Sequence, residues 1–207
     1  MSVNYGSLNL IIKTLRCRLF GKPDIARWQD LHNFDSQWDE RTMLIASLIP
    51  EVTRVIEFGV GRRKMESYLH PSCTYFPSDL LSRGEGTVIC DLNARPLLDL
   101  RHLNLDVAVF GGVLEYVSDL PSIPPWLGQN VSICITSYEY AHSKPKTVQR
   151  IREVFSRMGA GWVNTYSEQE LEGIFEAGGF FCSKKVTWET EEGDEKIFVF
   201  RKRPEQS

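Results

Sequence analysis

The chain has 207 residues, of which 24 are basic and 27 acidic, for a net charge of −3 and a pI near 5.9. With 42% hydrophobic and 25% charged residues it has ordinary globular proportions, which exclude a disordered or fibrous protein, and without a basic excess no nucleic-acid partner is expected. Cys17, Cys73, Cys90, Cys134 and Cys182 stand singly with no paired metal-ligand spacing, so the expectation is no metal and reduced thiols in the cytoplasm. No apolar run approaches the roughly 18 residues of a membrane span, and no signal peptide is visible.

In chain order, residues 8 to 20 place Leu8, Ile11, Ile12, Leu15 and Leu19 on one helical stripe, with Lys13, Arg16 and Arg18 elsewhere on the wheel. Two readings stay open: a helix packed on the domain, or an interfacial helix on a membrane or partner. A second helix is predicted from Ser36 to Ile49, capped by Asp35 or Ser36 and stopped by Pro50, with Trp38, Leu44, Ile45 and Leu48 buried. Residues 1–50 thus read as a helical extension to a domain over 51–207.

From Val52 the pattern changes to short apolar runs: RVIEF, CTYFPSD, TVICDL, DVAVF and VSICIT. Continuous runs of this length suit strands buried on both faces, hence a parallel sheet covered by helices. Ser167 and Glu170 form a capping box for a later helix with apolar Leu171, Ile174 and Phe175, closed by Gly178 or Gly179. GFFCSKKVTWE and EKIFVFRK flank a polar turn around Gly193, which predicts a closing pair of strands, at least one antiparallel. The fold class is α/β: a Rossmann-like, doubly wound, seven-stranded and mostly parallel sheet with an antiparallel last strand.

The first run ends in Glu57 and breaks at Gly59-Val60-Gly61, the way doubly wound folds present backbone N–H groups at the carboxyl edge of the sheet. Asp79 ends the second run, 18 residues after Gly61, where a carboxylate can accept from both ribose hydroxyls. Asp91 ends the third, placed for the amine of an adenine, and Gly111 and Gly112 follow the fourth. Position 64, where a dinucleotide fingerprint asks for a third glycine, is Lys64.

EFGVG, FPSDL, CDLN and GGVLEYV, in that order and spacing, resemble the class I S-adenosylmethionine-dependent methyltransferases over roughly residues 52–202. The resemblance implies that Glu57, Phe58, Gly59 and Gly61 line the methionine part of the cofactor and that Asp79 with Leu80 holds the ribose. It places Asp91 and Leu92 at the adenine, and Gly111, Gly112 and Val113 near the sulfonium and acceptor. Three departures stand out: the basic run Arg62-Arg63-Lys64 opens the first helix differently, the span after Asp79 is too short for a second helix, and Pro121, Pro124 and Pro125 break the helix after GVLEYV.

Methyl transfer needs a base only if the acceptor loses a proton; Glu115, Tyr116, Tyr138 and His142 are the candidates. The segment after the fifth run carries Lys144, Lys146, Arg150, Arg152 and Arg157, read either as a solvated helix face or as a receiver of an anionic acceptor group. The expected activity is methylation of a small-molecule or carbohydrate-like acceptor on O or N. The alternatives are an NAD(P)-dependent oxidoreductase and a non-catalytic Rossmann-like binding module. Oligomeric state stays open.

Overall fold

The structure, a computed structural model, describes residues 12, 14–16, 29, 38–142, 146–159, 161–190 and 193–204. Asp35, Ser36 and most of the 8–20 stripe lie outside these residues. Within the stripe, Ile12 and Leu15 are exposed and Thr14 is buried, so at these positions the helix turns a polar residue inward.

The first helix with defined bounds, α1 (Trp38–Ala46), buries Ile45 and Ala46, with Trp38, Leu44 and Leu48 packed at the margin of the same cluster. Beyond Ala46 the chain tightens through bonds from Leu48 N to Ile45 O and from Ile49 N to Ala46 O before Pro50. Arg41, on the same stripe, is buried as well.

Among the described residues seven strands form one sheet: β1 (Arg54–Phe58), β2 (Thr74–Asp79), β3 (Val88–Ile89), β4 (Val107–Gly111), β5 (Ile133–Tyr138), β6 (Phe180–Thr190) and β7 (Gly193–Lys202), in the order β3-β2-β1-β4-β5-β7-β6. The first five are parallel to one another, and β7 runs antiparallel to both β5 and β6. Alternation along β4 sends Val107 and Val109 to one cluster with Ile45 of α1, and Ala108 and Phe110 to the other with Trp126 and Phe175. Both faces of the sheet are therefore apolar, as the continuous runs predict. Pro77 is tolerated inside β2 because Ser78 O accepts from Gly59 N, which turns the proline nitrogen to the opposite edge, where β3 pairs only from Ser78 onward.

The connections are leaner than in a regular doubly wound fold. After β1 there is no α-helix but one 3-10 turn, Lys64–Ser67, preceded by Arg63 at φ 57° and followed by Pro71, so the basic run opens a turn and not the expected helix. No helix follows β2, as its short span predicts. After β4 come two 3-10 turns and a short α2 (Ile123–Leu127), where Pro124 and Pro125 lie in the first turn and need no intrahelical N–H bond. The prolines start this helix as well as interrupting the longer one.

The remaining helices are α3 (Val148–Gly159) and α4 (Glu168–Ala177). The predicted capping box is present: Ser167 Oγ accepts from Glu170 N at 3.3 Å, and Ser167 N donates to Glu170 Oε2 at 2.7 Å. Gly179, at φ 89°, supplies the left-handed exit. No helix among the described residues is long and apolar enough to cross a membrane.

Candidate functional site

The carboxyl ends of β3, β2, β1 and β4 lie side by side, so the loops bearing Asp91, Asp79, Gly59-Gly61 and Gly111-Gly112 line one edge of the sheet. With strands spaced by about 4.8 Å, this edge runs roughly 14 Å from β3 to β4. Gly59 (φ 73°) and Gly112 (φ 69°) adopt backbone that side-chain-bearing residues rarely take. A Cβ at Gly59 would lie 2.5 Å from Val113 Cγ2, and one at Gly112 would lie 2.9 Å from Arg41 Nη1.

Glu57 is buried at the end of β1, and its carboxylate accepts a short hydrogen bond from the hydroxyl of Tyr75. Burial pushes its pKa up to about 8, against the Tyr75 bond and the charge of Arg41, which pull it down. Arg41 reaches over the sheet edge from α1 and donates to Gly111 O at 3.2 Å. Its guanidinium lies 5.4 Å from the ring of Trp38 and 5.6 Å from that of Trp188, with Glu195 at 3.9 Å. Burial lowers its pKa, and the negative fields of Glu195, Glu115 and Glu57 oppose the shift. Arg41 and Trp188 were not among the expected site residues. An arginine three residues after Trp38 and four before Ile45, on the apolar stripe of α1, was the available signal.

Asp79 is buried and fully engaged. Its Oδ1 accepts from Leu81 N at 3.2 Å, and its Oδ2 accepts from Gly61 N at 3.4 Å and from Arg83 Nε at 3.2 Å. Asp91, half-buried, turns Oδ1 onto Asn93 N at 2.8 Å. Leu80 is half-buried beside Asp79. Two expected lining residues face the core: Phe58 stacks on Phe110 with centroids 4.8 Å apart, and Leu92 is buried in the same cluster, so they meet the edge with backbone only.

The four acid-base candidates separate. Glu115 and Tyr116 follow Gly111-Gly112-Val113 at the edge. Glu115 accepts from Glu139 N through Oε1 at 2.9 Å, while its buried Oε2 has no hydrogen-bond partner among the described atoms; burial raises its pKa. The Tyr116 hydroxyl accepts from Trp162 Nε1 at 3.0 Å. Tyr138 instead lies wholly in the core, donating to Asn164 Oδ1 at 2.5 Å and accepting from Tyr166 N at 3.1 Å, which leaves its hydroxyl no access to an acceptor. His142 is exposed in the loop after β5, its ring 4.8 Å from that of Tyr140, while its backbone N–H donates to Glu153 Oε1 at 2.8 Å. Of the basic segment, Lys144 lies outside the described residues, Lys146 and Arg152 are exposed, and Arg150 and Arg157 turn inward. No cluster of metal-ligating side chains occurs among the described residues.

No protein-family model and no curated protein matches the chain. Solved structures do. A Burkholderia thailandensis 1,6-didemethyltoxoflavin-N1-methyltransferase with bound S-adenosylhomocysteine superposes with a TM-score of 0.62 at 13% identity, over 93% of this chain and 89% of that one. Mitomycin 7-O-methyltransferase gives 0.62 at 13%, over 98% and 69%. The magnesium protoporphyrin IX methyltransferase of Synechocystis, also with bound S-adenosylhomocysteine, gives 0.57 at 14%, over 94% and 100%. The strand order, the reversed β7 and these likenesses together show that the chain has the fold of the class I S-adenosylmethionine-dependent methyltransferases.

Proposed function

We propose that the chain transfers a methyl group from S-adenosylmethionine to a small-molecule acceptor, carbohydrate-like compounds included. The strongest support is an acid and a guanidinium converging beside the glycines: Glu57 from β1 and Arg41 from α1, each within the other's field. An amino-acid tail carries both complements, an ammonium for Glu57 and a carboxylate for Arg41. Asp79 would then take the ribose hydroxyls, with Arg83 sharing or leaving its Oδ2, and Asp91 the adenine edge. Gly59 and Gly112 let the Val113 and Arg41 side chains pack directly on the backbone of this edge, where a Cβ would meet them at 2.5 and 2.9 Å.

When bound, the cofactor supplies a methyl group already activated by its sulfonium. What remains for the protein is placement of the acceptor and removal of its proton where one must leave. Glu115 and Tyr116 fit that task, since they lie next to Gly112 and Val113, and a carboxyl whose pKa burial has raised is a stronger base once ionised. Two of the neighbours named above are a mitomycin 7-O-methyltransferase and a 1,6-didemethyltoxoflavin-N1-methyltransferase, which supports a small acceptor. A cytoplasmic setting fits Cys73, Cys90, Cys134 and Cys182, which are all free thiols.

A dinucleotide fits this edge poorly. Its pyrophosphate rests on a helix N-terminus after the glycine turn, and here a four-residue 3-10 turn stands in that place. Thermal unfolding with S-adenosylhomocysteine, NAD and NADP, each at about a hundredfold its dissociation constant, should show stabilisation of roughly 2.7 kcal/mol with the first alone. Stabilisation by a nicotinamide cofactor alone would sink the proposal. Binding of S-adenosylhomocysteine with no methyl transfer to any of a panel of hydroxyl and amine acceptors would point to the binding-module alternative.

A further inference from the structure

α3 is amphipathic in the reverse of the usual sense. Its inward face carries Arg150, Arg157 and Met158, whereas Val148, Ile151 and Phe155 are 65%, 57% and 54% exposed. These three recur at the spacing of one helical stripe. The orientation is fixed by the arginines. Arg150 donates to Thr165 O at 2.5 Å and to Glu170 Oε2 at 2.7 Å, and Arg157 donates to Glu139 O with its guanidinium 4.5 Å from the ring of Trp162. Rotating the apolar stripe inward would break all of these bonds.

A second exposed apolar pair adjoins this helix. Thr14 Oγ1 donates to Met158 O at 3.0 Å, tying helical residues 12 and 14–16 to the end of α3 while Ile12 and Leu15 face solvent. Exposed Arg152 follows Ile151, exposed Lys146 stands two positions before Val148, and exposed Arg16 follows Leu15. The acid of α3, Glu153, is held to one side by His142 N.

We propose that this face docks on an anionic lipid bilayer, with Val148, Ile151 and Phe155 at the level of the headgroups and Arg152, Lys146 and Arg16 on their phosphates. An apolar stripe rimmed by cations suits such an interface. It suits a second copy of the chain poorly, since a two-fold pairing would set the same cations against each other. The inference stands apart from the methyl-transfer proposal, and its test reads lipid binding without cofactor.

The full chain is floated with phosphatidylcholine vesicles prepared with and without phosphatidylglycerol. Binding is expected with the anionic vesicles and release on raising the salt. Phe155→Asp and Ile151→Asp should each weaken partitioning on the order of tenfold or more. Arg152→Glu should weaken it by at least about fivefold, from the loss of one headgroup attraction. Circular dichroism melts that match the parent chain confirm that each variant is folded. Three results would overturn the proposal: no flotation with anionic vesicles, flotation unchanged in folded Phe155→Asp and Ile151→Asp, or a dimer in solution that Phe155→Asp dissociates.

Discussion

The edge formed by β1, β2 and β4 and the region beyond β5 are both rich in polar residues, yet they use them in opposite ways. Along β1 and β4 the chain gathers an acid and a guanidinium around glycines at positive φ: Glu57 with a raised pKa, and Arg41 brought in from α1 onto Gly111 O. Beyond β5 the polar side chains satisfy one another, Tyr138 with Asn164, Arg150 with Glu170, and Arg157 with Glu139 O. Which polar residues find their partners within the chain can be counted only once the fold has brought them together.

The sharpest way to break this contrast is to crowd Arg41 off the edge. Gly112→Val adds a Cβ 2.9 Å from Arg41 Nη1 at φ 69°, so it should abolish stabilisation by S-adenosylhomocysteine. It should also cost about 1–3 kcal/mol of stability in chemical denaturation. Retained binding would mean that the ligand does not pass Gly112.

A smaller effect is expected from pH. Because Glu57 has a pKa raised to about 8, the native state holds its proton where the unfolded chain has lost it, so its contribution to stability is present below the ordinary carboxylate pKa and is lost as pH rises through about 8. Glu57→Gln should flatten that decline. A ligand ammonium needs the ionised carboxylate, so affinity for S-adenosylhomocysteine should fall about tenfold per unit as pH drops below 8, a trend that calorimetric titration would detect and Glu57→Gln remove.

The smallest effect tests the other region. Tyr138→Phe leaves Asn164 Oδ1 and Tyr166 N short of a partner, so stability should fall by about 1–3 kcal/mol while affinity for S-adenosylhomocysteine is unchanged. A drop in ligand affinity without a loss of stability would move Tyr138 back to the site.

Much of the fold is legible in the sequence because each strand is a continuous apolar run and each turn carries its own chemistry. RVIEF, DVAVF and VSICIT become β1, β4 and β5, and Ser167 with Glu170 caps α4 as their spacing implies. The acids ending β1 and β2 are placed by the same local logic. Phe58 and Leu92 turn their side chains into the core, because a motif fixes the backbone position of a residue and not the side of the sheet its side chain takes. Arg41 and Trp188 escape notice for another reason: they meet from either end of the chain, 147 positions apart in sequence. The first helix fails to form after Gly61 because Arg63 takes a left-handed conformation that no local pattern announces.

Arg41 has a consequence for motion. It belongs to a short helix that precedes every strand of the sheet, yet its guanidinium rests on the carbonyl at the end of β4. A carboxylate bound there would fasten α1 to the central strands. Amide hydrogen exchange in residues 41–49 should therefore slow when the site fills, and any event that peels α1 away would release the ligand.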